Sequence, residues 1–284
     1  MVTSNLALTK DEVMLLASLL LKISFARYLV GNVISDFFLP FLSLWVAYFA
    51  LGATMIIFLH YNRRYLLIHS NWTIRHLISQ IDSSARDLFV LLPVSVVVVK
   101  HFNMFPLILT KAEDIAAFYW SPWAWACIPI GIYLGLVCRM AAHYILHHPL
   151  LYKRIHKMHH IIPENMTPFS TFNDHPIEFF CMEIIGTFLL PCVLRPLPAP
   201  VLAAVWAMQV CLGVLDHSNA VVPGSFFIDA EYHLTHHQVV ISAAPVWCVC
   251  MYVCMYVCLC YSFSVIFALT LTHHHTFFSA CVFS

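Results

Sequence analysis

Charge is what this chain most lacks. Charged residues make up 10% of its 284 residues, with 14 Lys+Arg against 14 Asp+Glu; soluble domains carry about a quarter. There is no basic excess to hold a nucleic-acid backbone. Nor is there a disulfide framework or a zinc-type Cys-x-x-Cys pair, although the chain has 11 cysteines. No glycine-rich dinucleotide fingerprint and no haem-binding His-Pro-Gly-Gly stretch occurs in it. What fills the space is apolar: 61% of the residues are hydrophobic, and the mean hydropathy is +0.82. A soluble fold of this length has no interior large enough for that surface, so a bilayer must cover the rest. A cytosolic enzyme, a disordered chain and a secreted disulfide scaffold are excluded.

The pattern predicts an all-α integral membrane protein with about four to five transmembrane helices. Residues 1–36 read as an N-terminal segment, interfacial or an imperfect first helix, because Lys22 and Arg27 interrupt its apolar run. Asp11 and Glu12 stand where a signal peptide needs positive charge. Residues 37–138 read as the transmembrane helices. Phe37 to Leu59 and Ile115 to Val137 are long uncharged runs, and Leu88 to Leu109 is a weaker one carrying Lys100 and Asn103. Phe179 to Leu194 and Val201 to Leu215 flank a proline cluster and read as a helical hairpin, with Glu183 turned toward protein rather than lipid. Arginine and lysine concentrate in loops 60–86 and 139–175, which puts both loops on the cytosolic side. Asn71-Trp-Thr and Asn165-Met-Thr match glycosylation sequons, but on that side they are chance matches.

Residues 241–284 form a low-complexity apolar tail. Cys250-Met-Tyr-Val repeats as Cys254-Met-Tyr-Val and restarts at Cys258. An in-frame TGTA tetranucleotide run encodes that unit, so the tail reads as translated non-coding sequence. The alternative is a genuine last membrane segment.

Histidine is the residue in excess. Eleven of the 18 histidines lie between 143 and 237, and nine of those fall into three clusters. The clusters read H-Y-I-L-H-H (143–148), H-K-M-H-H (156–160) and H-L-T-H-H (233–237). Spacings of three and four put side chains on one helix face. Imidazole is the commonest metal ligand among side chains and suits iron, zinc and copper. Eight or more imidazoles exceed the need of one tetrahedral zinc. Two metals on one cytosolic, histidine-rich helical cap is the economical reading.

These residues resemble the fatty acid hydroxylase/sterol desaturase superfamily of membrane di-iron oxygenases. The superfamily pattern H-x(3)-H, H-x-x-H-H, H-x-x-H-H matches His143/His147, His156/His159/His160 and His233/His236/His237. The stretch 147–160, with H-P-I-E (175–178) and D-H-S (216–218), looks most like the sterol-oxidising branch that includes methylsterol monooxygenases. The catalytic region, 139–240, would then include the membrane hairpin. The resemblance implies two non-haem Fe ions held by those eight histidines, with His217 as the ninth ligand. His175 is either a further ligand or a structural partner, and His148 lies off the His143/His147 face. Asp174, Asp216, Glu178, Asp229 and Glu231 sit beside ligands and are candidates to orient imidazoles.

The resemblance also implies O2-dependent oxidation of a sterol or other lipid C–H bond. Electrons would come from cytochrome b5 and its NAD(P)H reductase, and the place would be the endoplasmic reticulum membrane. One departure stands against it: the superfamily continues past the last box into an Asn-Tyr-Gly-like stretch, whereas here Gln238, Val239 and Val240 follow. The rival readings are a non-catalytic or truncated relative, a histidine-rich metal transporter and a haem-binding electron carrier.

Overall fold

The computed structural model describes residues 9–62, 66, 73–102, 108–109, 111–161, 166–220 and 230–238. They all lie in the first of two compact units, Met1–Ser242; the second, Ala243–Ser284, falls outside the described residues, and with it the expectation about the tail. Two strands apart, the elements are helices. Four of them are long and apolar enough to cross a membrane: Lys10–Asn32, Ser35–Tyr61, Pro122–Leu146 and Ala199–Asp216. This is a helical membrane protein.

The first helix, α1 (Lys10–Asn32), opens with a capping box. Thr9 Oγ1 accepts from the Glu12 amide at 3.3 Å, and Glu12 Oε2 accepts from the Thr9 amide at 2.7 Å. At 23 residues it is long and apolar enough to cross a membrane. Lys22 is accommodated because its ammonium meets Asp82 at 2.7 Å, both groups being largely buried. That partner lies 60 residues away, so the sequence around Lys22 shows only an interruption.

Helix α2 (Phe38–Tyr61) returns the chain. Next, α3 (Ile74–Arg86) is capped by Thr73, runs through one π-helical turn (Asp87–Leu91) and continues as α4 (Leu92–His101). The span expected over 88–109 is therefore displaced: the helix begins at Ile74 and has ended by Phe102, while Ile108–Leu109 is a short strand, β1. Asp11–Arg75 (2.9 Å), Lys22–Asp82 and Asp36–Lys100 (2.6 Å) tie α1 and the segment after it to the α3–α4 rod in parallel register.

After α5 (Ala112–Tyr119), Ser121 caps α6 (Pro122–Leu146) and Pro122 fills its first turn. The expected span from Ile115 to Val137 is thus two helices broken at Trp120–Ser121, and the long one reaches nine residues further, to Leu146. That extension carries His143 out of the apolar run. The expected hairpin is present. Helix α8 (Pro176–Glu178) continues as a π-helix (Phe179–Leu189), and α9 (Ala199–Asp216) comes back. Between them β2 (Leu197–Pro198) pairs in parallel with β1, Ile108 opposite Leu197.

Helix α6 and the π-helix cross closely. A Cβ on Gly186 would meet the Gly135 carbonyl oxygen at 2.9 Å. Glu183, 3% exposed, pairs with Arg139 at 3.1 Å across this crossing, so it faces protein as expected. Helix α2 lies along α9, where Trp206 packs edge-on against Phe41 and Phe188.

Segment 166–174, irregular apart from a 3₁₀ turn at Pro168–Ser170, is wholly buried. Buried backbone must find partners, and side chains supply them: Tyr48 and Ser84 hydroxyls both donate to the Phe169 carbonyl (2.9 and 2.8 Å). Ser83 donates to Asn173 Oδ1 at 2.7 Å, and Arg86 to the Asp174 carbonyl.

Candidate metal centre

The site is assembled at helix ends. His143 and His147 close α6, one turn apart. The chain then passes through α7 (Pro149–Tyr152) into a 3₁₀ helix, His156–Ile161, that carries the second cluster. His217 caps the C-terminus of α9, where Asn219 takes a left-handed backbone conformation (φ 55°) that asparagine tolerates. The third cluster sits on α10 (Ala230–Gln238).

Nine imidazoles converge in two groups. His143, His147, His156, His160 and His236 form one; His159, His217, His233 and His237 form the other. Within each group the facing ligand atoms lie within 4.8 Å of one another. The two H-x-x-H-H clusters divide in the same way. Residues four apart (His156/His160 and His233/His237) share a group, and the intervening histidine (His159 or His236) crosses to the other. The second cluster was expected on an α-helix. In the 3₁₀ helix the His156 and His159 rings stack at 5.4 Å with 12° between planes, as side chains three apart do there.

Ring chemistry says what belongs between these rings. His217 Nδ1 lies 2.9 Å from the Gly213 carbonyl, which only accepts, so Nδ1 carries the proton and Nε2 presents a bare lone pair. That Nε2 lies 3.1 Å from His233 Nε2, which is 3.0 Å from His237 Nε2. In the first group His156 Nδ1 donates to Glu178 Oε1 at 2.6 Å. Its Nε2 then faces His147 Nε2 at 3.1 Å and His160 Nε2 at 3.0 Å. His143 and His236 meet at 2.9 Å, again through Nε2. Lone pairs aimed at a common point repel unless a cation lies among them, so the donor sets fit a metal ion in each group. Five nitrogen donors in one group exceed a tetrahedral zinc and suit a metal of higher coordination number.

Burial keeps these rings neutral, the form that binds metal. It pulls His156 down to about 2, His160 to about 3, and His217 and His236 to about 4, with neighbouring imidazoles adding to the effect at His156, His160 and His236. His159, His233 and His237 lie well below the usual value for the same reason. Behind the rings the same desolvation pushes Glu178 up to about 11 and Asp174 well above the carboxylate range. Cations bound by the imidazoles would oppose that and favour the carboxylates.

The other expected residues go elsewhere. His148 and His175 are helix N-caps: their Nδ1 atoms accept from the amides of Leu150 (3.4 Å) and Ile177 (3.2 Å), each just before a proline at the first helical position. Neither belongs to a ligand group. The His-Pro pairs in the sequence are the signal that would have identified them. Asp216 is in neither group. Asp229 and the Glu231 side chain lie outside the described residues. Tyr152 was not anticipated: its ring lies nearly parallel to that of His147, 5.9 Å away with 22° between planes.

Residues 128–242 match the family model for fatty acid hydroxylase. This stretch is similar to proteins of the fatty acid hydroxylase family. The matched range starts inside α6 and takes in all nine clustered histidines. Among curated proteins, it is similar to a Delta(7)-sterol 5(6)-desaturase of Leptosphaeria maculans, 32% identical over 116 residues, which is 39% of this chain and 30% of that protein. It is also similar to lathosterol oxidase of Homo sapiens (34% over 100 residues, 33% of this chain and 31% of that protein) and of Mus musculus (36% over 100 residues, with the same shares). The matched stretch therefore spans about a third of the length of these relatives. No solved structure matches the chain significantly. The family is known for non-haem iron.

Proposed function

We propose that the chain is a membrane-bound non-haem di-iron oxygenase that oxidises a C–H bond of a sterol, using O2 and electrons from an external donor. The observation that carries this reading is the pair of imidazole groups, one of five and one of four, at the ends of membrane-length helices. Two irons bound there would supply O2 activation and the oxidation of an unactivated C–H bond. The chain's own residues do the rest. The nine histidines hold the metals as neutral ligands. The buried segment 166–174 and the 3₁₀ helix keep bulk water from the second group. The apolar faces of α6 and α9 let a lipid approach from the bilayer, so that its reacting carbon is placed by shape. The arginine- and lysine-rich loops favour a cytosolic-facing site; in this reading the membrane is that of the endoplasmic reticulum and the donors are cytochrome b5 and its NAD(P)H reductase.

Within the sterol class, the relatives' names favour desaturation at C5(6) of a Δ7 sterol over the methylsterol oxidation suggested by the 147–160 pattern alone. A reconstituted assay tests this: purified protein in lipid with NADPH, cytochrome b5, its reductase and a panel of Δ7 sterols, 4-methylsterols and fatty acids. A sterol product bearing a new 5(6) double bond is expected. Oxidation of 4-methylsterols alone restores the methylsterol assignment, and oxidation of fatty acids alone removes the sterol one.

A further inference from the structure

We propose that Asp174 and Glu178 are paired positioning residues, each aligning one imidazole of a different metal group, so that segment 174–178 supports the two ions separately. This rests on the reading that both groups hold metal. Glu178 accepts from Nδ1 of His156, a ligand of the five-histidine group, at 2.6 Å, and both side chains are fully buried. Asp174 accepts from Nδ1 of His159, a ligand of the four-histidine group, at 2.8 Å, with side-chain exposures of 4% and 5%. The His156 and His159 rings stack on one another, so the two carboxylates grip neighbouring planes that lead to different ions.

The other buried rings are supported differently. His217 leans on the Gly213 carbonyl, and among the described residues His160 and His237 have no partner at Nδ1. Among the described residues, each group thus has one ring whose tautomer and angle a carboxylate sets. Asp174 is in turn fixed through its backbone carbonyl by Arg86.

A carboxylate on the far nitrogen fixes the ring and raises its basicity, and its loss typically lowers metal affinity roughly 10- to 100-fold. The test uses the full chain loaded with Fe(II), with ion release followed in a chelator competition. The wild type should release two ions at comparable rates. Glu178→Gln and Asp174→Asn, which preserve shape, should each speed release of one ion roughly 10- to 100-fold and leave the other unchanged, and the double variant should speed both. His175→Ala removes a cap from the same segment without touching a ligand and should leave both ions in place. Equal weakening of both ions by each single variant, or by His175→Ala, overturns the proposal in favour of general loosening. Two tightly held ions in all variants overturn the proposal while sparing the di-metal reading. A wild-type chain that holds no pair of ions overturns both.

Discussion

At the scale of single residues, the imidazoles tie the stability of the metal-free protein to pH. His156, His159, His160, His217, His233, His236 and His237 stay neutral in the fold because burial depresses them. In the unfolded chain each takes up a proton below about 6.5. The unfolded state then binds more protons, so stability is present above about 6.5 and is lost as pH falls. Glu178 and Asp174 act in the opposite direction: they are protonated in the fold and ionised in the unfolded chain above about 4.5. Two carboxyls against seven imidazoles leave the histidines dominant between about pH 5 and 6.5. Chelator-treated protein in detergent should melt at a progressively lower temperature across that window. A flat or rising melting temperature on acidification would show that the rings are not buried neutral. The clustering of the histidines was legible, because imidazoles at spacings of three and four leave a mark on the sequence. Their partition between two groups was not, since which ring crosses over depends on the 3₁₀ winding of 156–161 and on how α10 is placed. His175 stood open as a ligand and His148 as a supporting residue; that both are caps is a backbone matter, which the histidine spacing does not show.

Elements meet here through small residues and satisfied polar groups. Gly135→Ala would force a methyl group into the Gly186 carbonyl oxygen. Overpacking of this kind costs typically about 1–3 kcal/mol. Gly31 in α1 has nothing within 4 Å of where a Cβ would stand, so Gly31→Ala should be neutral or stabilising by up to about 1 kcal/mol, as alanine replaces glycine in a helix. Paired thermal melts of the two variants in detergent check this. Equal destabilisation would mean that the α6 crossing is not as close as described. The hairpin over 179–215 was legible from its prolines and apolar runs. The α3–α4 rod was not: α3 is amphipathic and charged, and its buried side is defined by α1 and by segment 166–174, neither of which is adjacent in sequence. For the same reason Lys22 looked like an obstacle to a first full-length helix.

For the molecule as a whole, the ion pairs along the α1 seam and the two imidazole groups stand out among the polar groups of the described residues. Lys22 and Asp82 have side-chain exposures of 19% and 18%. Removing one partner of a fully buried pair costs about 3–5 kcal/mol, and of a partly buried one less, whereas replacing both with apolar residues is often close to neutral. Asp82→Asn should therefore lower the yield of folded protein more than Lys22→Leu combined with Asp82→Leu does, as read by size-exclusion recovery after extraction. A double variant worse than the single would show that the pair is worth more than its desolvation. The central claim is that distant parts of the chain bring nine imidazoles around two irons. Its most direct test is the iron bound per chain in purified wild type, His156→Ala and His237→Ala. The account predicts two irons in the wild type, fewer in each variant and sterol oxidation lost with them; undiminished iron in both variants, or a wild-type chain that binds none, would contradict it.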